Sequence, residues 1–178
     1  MLEPDEGIEK FATFAYQHNA NVRVVLQEFW IPWDKFEWPF QGNESTVNPD
    51  AATPAFLDRL HGPYFKAMDD YVRALDSRLG RPVVLVAPMG QAVVMLRKKV
   101  IAHEIAAIST QAALFTDKLG HPQPPIQALA AYCNFAVIYH RSPSVLRDPQ
   151  HPEWDDTLIR TLSRGRALLA FGRGLVWA

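Results

Sequence analysis

Two short apolar runs constrain this chain most: Val22-Arg23-Val24-Val25-Leu26-Gln27 and Pro82-Val83-Val84-Leu85-Val86-Ala87-Pro88. Both have strand length and are rich in β-branched residues, and neither alternates apolar with polar as a strand with one wet face does. Such runs belong in a parallel sheet whose two faces are covered by helices. The intervening sequence agrees. Phe56, Leu57, Leu60, Tyr64, Met68, Tyr71, Val72 and Leu75 recur at helical spacing, which predicts a long helix from Pro54 to Leu79. Gly62-Pro63 should kink or break it, and Gly80 suits its C-cap.

Helices also flank the two strands. Pro4, Asp5 and Glu6 form a helix-start signal, followed by the stripe Ile8, Phe11, Ala12, Phe14 and Ala15. A further helix begins near Gly90 and runs through Val93, Val94, Leu96 and Val100, and two more are expected near Pro122–Tyr139 and Asp155–Val176. The order helix, strand, helix, strand, helix predicts an α/β layered fold, and 178 residues fit one domain spanning 1–178. The exception is the segment from Glu28 to Thr53, which shows no periodicity and holds Trp30, Trp33, Trp38, Pro32, Pro39, Gly42 and Pro49. Structureless loops this long are uncommon in compact domains and are often functional.

Composition narrows the function classes. A net charge of −1 gives no global pull toward nucleic acid or anionic membrane. Arg160, Arg164, Arg166 and Arg173 stand at helical spacing around leucines, which favours a solvated helix face over a phosphate patch. The lone Cys133 excludes an intrachain disulfide and lies in an apolar run where a small buried side chain is ordinary. No stretch approaches the roughly 18 apolar residues of a membrane span. The acidic opening, Met1 to Glu6, does not resemble a secretory signal, and the compartment stays open.

The run Phe115-Thr116-Asp117-Lys118-Leu119-Gly120-His121-Pro122 carries the chemistry. Gly120 offers a turn, and Pro122 suits the first position of the following helix, which puts His121 on that helix's lip. Asp117 lies in the approaching loop. A carboxylate and an imidazole from one short segment can then meet at the rim of a sheet. There the carboxylate fixes the ring's tautomer and stabilises the imidazolium formed on proton transfer. As bare spacing, an aspartate capping a turn and a histidine ending a loop would also fit.

The segment resembles the last conserved block of the SGNH, or GDSL-like, hydrolases, with an apolar helix and Arg141-Ser142-Pro143 following it. Val83–Pro88 leading into Met89-Gly90-Gln91 resembles the strand–helix step before that block, and Val24–Trp30 a strand bordering the active site. The resemblance implies a three-layer α/β/α fold with a parallel, flavodoxin-like sheet, incomplete at the N-terminus. It also implies a serine ester hydrolase acting on small acyl or acetyl esters, acylated carbohydrates among them, without metal or organic cofactor. Asp117 and His121 would be the catalytic pair. Two departures stand out. The Asp–His spacing is one residue longer than in the commonest family pattern. None of Ser45, Ser77, Ser109, Ser142, Ser144 and Ser163 lies in a Gly-Asp-Ser or Gly-x-Ser-x-Gly context, which implies a missing upstream serine block.

Other constellations are weaker. His103-Glu104 is half of a zinc-protease motif, but Ala107 replaces the second histidine, so no metal site is expected. His140-Arg141 reads as a helix end, and His151-Pro152-Glu153-Trp154 as a turn. Among the loop aromatics, Trp30 and Trp33 are the candidate substrate-binding residues, because they follow the strand end where ligands of α/β sheets gather. Burial to pin the loop is the competing role for them and for Phe36, Trp38 and Phe40. Glu28 and Asp34 fit either polar cleft groups or solvated loop charges, of which the second is the commoner. The rival to an esterase is a non-catalytic glycan- or partner-binding domain using residues 28–53; a third alternative is a truncated, inactive fragment.

Overall fold

The computed structural model describes residues 6–30, 48–117, 120–143 and 146. The helix expected at Asp155–Val176 with its arginines lies outside the described residues, as do Trp33, Asp34, Phe36, Trp38, Phe40 and His151. The protein is a mixed α/β structure. In chain order the elements are α1 (Glu6–His18), β1 (Val24–Gln27), α2 (Pro54–Leu79), β2 (Val84–Ala87), α3 (Met89–Ile101) and α4 (Pro124–Tyr139). Single 3-10 turns at Pro49–Ala51 and Ala112–Leu114 precede α2 and the site segment.

The two strands pair in parallel, from Val24 opposite Val84 to Gln27 opposite Ala87. Side chains alternate across the sheet, and the core divides accordingly. Val24, Leu26, Val84 and Val86 pack with Ile8, Ala12 and Tyr16 of α1 and Val72 and Leu75 of α2. Val25, Leu85 and Ala87 pack with Ala136 and Val137 of α4. The largest cluster joins α3 to α4 through Met89, Val93, Leu96, Val100, Leu114, Ile126, Leu129 and the fully buried Cys133. Each such side chain contributes about 1.5–3 kcal/mol by leaving water.

Helix α2 matches its expected span because both ends are written locally. The Thr53 hydroxyl accepts the Phe56 N–H at 3.2 Å, Pro54 opens the first turn, and Gly80 closes the helix at φ +75°. Arg81 N–H then reaches back to the Asp76 carbonyl at 3.2 Å. The expected break at Gly62-Pro63 is absent, and the helix is continuous through Pro63. Both residues are exposed, so water can serve the carbonyl that proline leaves without a donor. Buried Leu57 and His61 before them and Val72 and Leu75 after them hold the helix against the core.

Helix α4 starts at Pro124, not at Pro122. Pro122 instead bridges Phe115 in antiparallel fashion, and Gln123 N–H donates to the Leu114 carbonyl at 3.0 Å. Gln123 itself precedes a proline, which disfavours helical backbone at that residue. His121 therefore stands in an extended approach, further from the helix than the sequence implied. α4 stops at His140, which adopts left-handed backbone (φ 51°). Among the described residues, no helix is long and apolar enough to cross a membrane.

Candidate active site

The segment that carries the Asp/His pair is folded back on itself. Thr116 N–H donates to the His121 carbonyl at 2.8 Å, and Gly120 N–H donates to the Asp117 carbonyl at 3.2 Å. The reversal needs Gly120 at φ +82°, a left-handed conformation that suits glycine. It brings the pair together: Asp117 Oδ2 lies 2.5 Å from His121 Nδ1, and Asp117 Oδ1 accepts the His121 backbone N–H at 3.2 Å. An ionised carboxylate only accepts, so the bond requires the proton on Nδ1; in the neutral ring this is the tautomer that leaves Nε2 with its lone pair. The His121 side chain is 67% exposed and that of Asp117 41% exposed, so the pair is open to an incoming molecule.

Trp30 reaches the same turn from the end of β1. Its indole Nε1–H donates to the Gly120 carbonyl at 3.0 Å, across 90 residues of sequence, and its ring packs against the α3–α4 core. Phe29 is 53% exposed and stacks on Trp30, with ring centroids 5.8 Å apart. Of the two substrate-binding candidates, Trp30 thus sits beside the Asp/His pair, and Trp33 lies outside the described residues.

Glu28 corrects the sequence reading. It is fully buried and is not a solvated loop charge. Its carboxylate accepts the Gln91 backbone N–H at 3.1 Å and the Gln91 side-chain amide at 2.7 Å. Pro88, the residue capping α3, makes no side-chain cap bond, so the neighbouring strand supplies the acceptor that the helix start lacks. The same junction explains Gly90. A Cβ there would collide with the Phe29 carbonyl and stand 2.8 Å from the Phe65 ring. Tyr64 completes it by accepting the Phe29 N–H at 3.0 Å. Burial raises the Tyr64 phenol above its ordinary pKa; the Phe29 bond opposes the rise and the Glu28 charge adds to it.

A second polar group lies deeper. Arg97 is fully buried, with Nε donating to Gln111 Oε1 at 2.8 Å and Nη2 reaching the Pro49 carbonyl at 3.4 Å. Gln111 Nε2 donates to the Ala52 carbonyl at 3.1 Å, and the Asp50 carboxylate accepts Ala112 N–H at 3.0 Å. His61 is 2% exposed, and its Nε2 has no hydrogen-bond partner. Burial and then the Arg97 charge lower its pKa to about 4, with Asp58 opposing, so the ring is neutral at pH 7.

Sequence reasoning missed Glu28, His61, Tyr64, Arg97 and Gln111 as structural polar groups. A signal existed for two of them. His61 falls four residues after Leu57 and Arg97 four after Val93, each on its helix's buried stripe. His103 takes left-handed backbone after α3 and Glu104 pairs with Lys99, a helix-ending arrangement. Among the described residues no group of three His, Cys, Asp or Glu could hold a metal ion. No family model, no curated protein and no solved structure matches this chain.

Proposed function

We propose that this chain carries the Asp/His half of a proton relay in an ester hydrolase of the SGNH type, acting on small acyl or acetyl esters. The observation that carries the reading is the bond from Asp117 Oδ2 to His121 Nδ1 at 2.5 Å, in side chains open to solvent. In the proposed reaction His121 Nε2 takes the proton of a serine hydroxyl as it attacks the ester carbonyl. It then returns that proton to the leaving alcohol, while Asp117 holds the ring and steadies its charged form. No serine of this chain stands in the family's nucleophile context, so the reading draws the nucleophile from outside these residues. Packing of helices on both sides of the parallel pair supports a three-layer α/β/α arrangement.

The test is a fusion that places a serine-bearing N-terminal block of this hydrolase class ahead of residue 1. Hydrolysis of a short activated acyl ester should appear, and His121→Ala should lower it by about 10²–10⁴-fold. A folded fusion without activity, or with activity indifferent to His121, would overturn the proposal. A glycan- or partner-binding role is the second reading, favoured by the exposed Phe29 stacked on Trp30. It predicts ligand binding that survives His121→Ala and is lost in Phe29→Ala, measured by calorimetry with acylated and deacylated oligosaccharides.

A further inference from the structure

We propose that Trp30 is a positioning residue for His121, acting through the peptide group between Gly120 and His121. The inference rests on the relay reading of Asp117 and His121. Its basis is a continuous chain of hydrogen bonds. The Trp30 indole N–H donates to the Gly120 carbonyl at 3.0 Å. That carbonyl belongs to the peptide unit whose N–H, on His121, donates to Asp117 Oδ1 at 3.2 Å. The other oxygen of the same carboxylate holds His121 Nδ1 at 2.5 Å. One peptide plane is therefore held at its oxygen by the indole and at its N–H by the carboxylate that orients the imidazole.

Two physical effects follow. A peptide unit bonded at both ends is polarised, and each bond strengthens the other. The indole also fixes the tilt of that plane, and with it the direction of the N–H aimed at Asp117. The backbone bonds inside the turn, among the described residues, are the Thr116–His121 and Gly120–Asp117 bonds and the Phe115–Pro122 bridge, with Leu114 and Phe115 seated in the core before it. These bonds close the turn on itself. Trp30 adds a link from the Gly120 carbonyl to the segment at the end of β1, and so helps set where the imidazole stands relative to the sheet rim. The half-buried indole is packed against the α3–α4 core cluster, so the donor is presented from a fixed support. Phenylalanine at this position keeps most of the packing and deletes the donor.

The experiment is nitrogen-15 NMR of the whole chain, reading the tautomer of the His121 ring and the Trp30 indole N–H. The native chain should show the Nδ1–H tautomer, and Asp117→Asn should reverse it, because an amide nitrogen can donate to Nδ1. Trp30→Phe should shift the tautomer ratio roughly fivefold toward Nε2–H, the effect of losing one ordinary hydrogen bond. Reciprocally, Asp117→Asn should move the Trp30 indole resonance and speed its exchange, a readout that stands even if Trp30→Phe folds poorly. A merely packing tryptophan predicts neither change. If Asp117→Asn reverses the tautomer but the indole and the Trp30→Phe ratio stay unmoved, the Trp30 assignment fails and the relay stands. If Asp117→Asn leaves His121 unchanged, the relay reading itself fails.

Discussion

Arg97 fastens loop segments to helix α3 inside the protein, whereas Asp117 holds a turn together at its surface. Arg97 is fully buried and binds the Pro49 carbonyl and Gln111, whose amide holds Ala52. Asp117 holds His121 in a turn where both side chains meet water. Burial makes the first arrangement costly to disturb, because a polar group stripped of its partner there cannot turn to solvent. Exposure makes the second cheap to disturb, because water replaces whatever is lost. Stability and the proposed reactivity are thus assigned to different polar groups of this chain.

The largest effect should come from Arg97→Ala. It opens a cavity beneath α3 and strands the Gln111 side-chain oxygen, which together should cost about 3–5 kcal/mol in denaturant unfolding. The His121 tautomer should not change, because Arg97 bonds to Gln111 and Pro49, which lie outside the Asp117–His121 turn. A loss below about 1 kcal/mol would break the comparison, since it would mean that water reaches Arg97 after all.

Next in size is the pH response of His61. Its folded pKa is lowered to about 4, against 6.5 for the free side chain. Between those values the unfolded chain binds a proton that the folded chain refuses. Stability is therefore full above pH 6.5 and declines as pH falls toward 4, by about 3 kcal/mol for this group. His61→Gln should flatten that part of the stability curve. If the two curves stay parallel from pH 7 to 4, His61 is not the group responsible.

Gly90→Ala should follow at about 1–3 kcal/mol. The added methyl meets the Phe29 carbonyl, which cannot withdraw without disturbing the Tyr64 hydroxyl bond. Tyr64 fluorescence or its alkaline titration would reveal the displacement. An unchanged melting curve would show that the β1 end yields easily, and would weaken any claim that Trp30 rests on a rigid support.

The contrast also explains what was legible in the sequence. The span of α2 was readable because Thr53, Pro54 and Gly80 fix its ends through contacts within a few residues. The Asp117–His121 bond was legible only as one of two alternatives, since a four-residue spacing also fits an aspartate capping a turn and a histidine ending a loop. Glu28 was misread because its partner, Gln91, is 63 residues away. The Trp30–Gly120 bond spans 90 residues, and nothing near Trp30 marks its indole as a donor to that turn. Arg97 and His61 occupied apolar-stripe positions, a local anomaly that told of burial but not of partners. The start of α4 failed for another reason: Pro122 and Pro124 are equally good openers, and the pairing with Phe115 and Leu114 decided between them.

The smallest effect on stability should be at the site itself. Asp117→Asn removes the charge from an exposed pair, and unfolding free energy should change by less than about 1 kcal/mol. The same substitution should reverse the His121 tautomer and, in the serine-bearing fusion, lower turnover by a factor on the order of 10⁴, as expected when the ring is held in the wrong tautomer. A large loss of stability would make Asp117 another Arg97, a residue that holds the fold. The opposite pairing, with little lost in folding and nearly everything lost in turnover, is the signature of a carboxylate whose work is to aim a histidine.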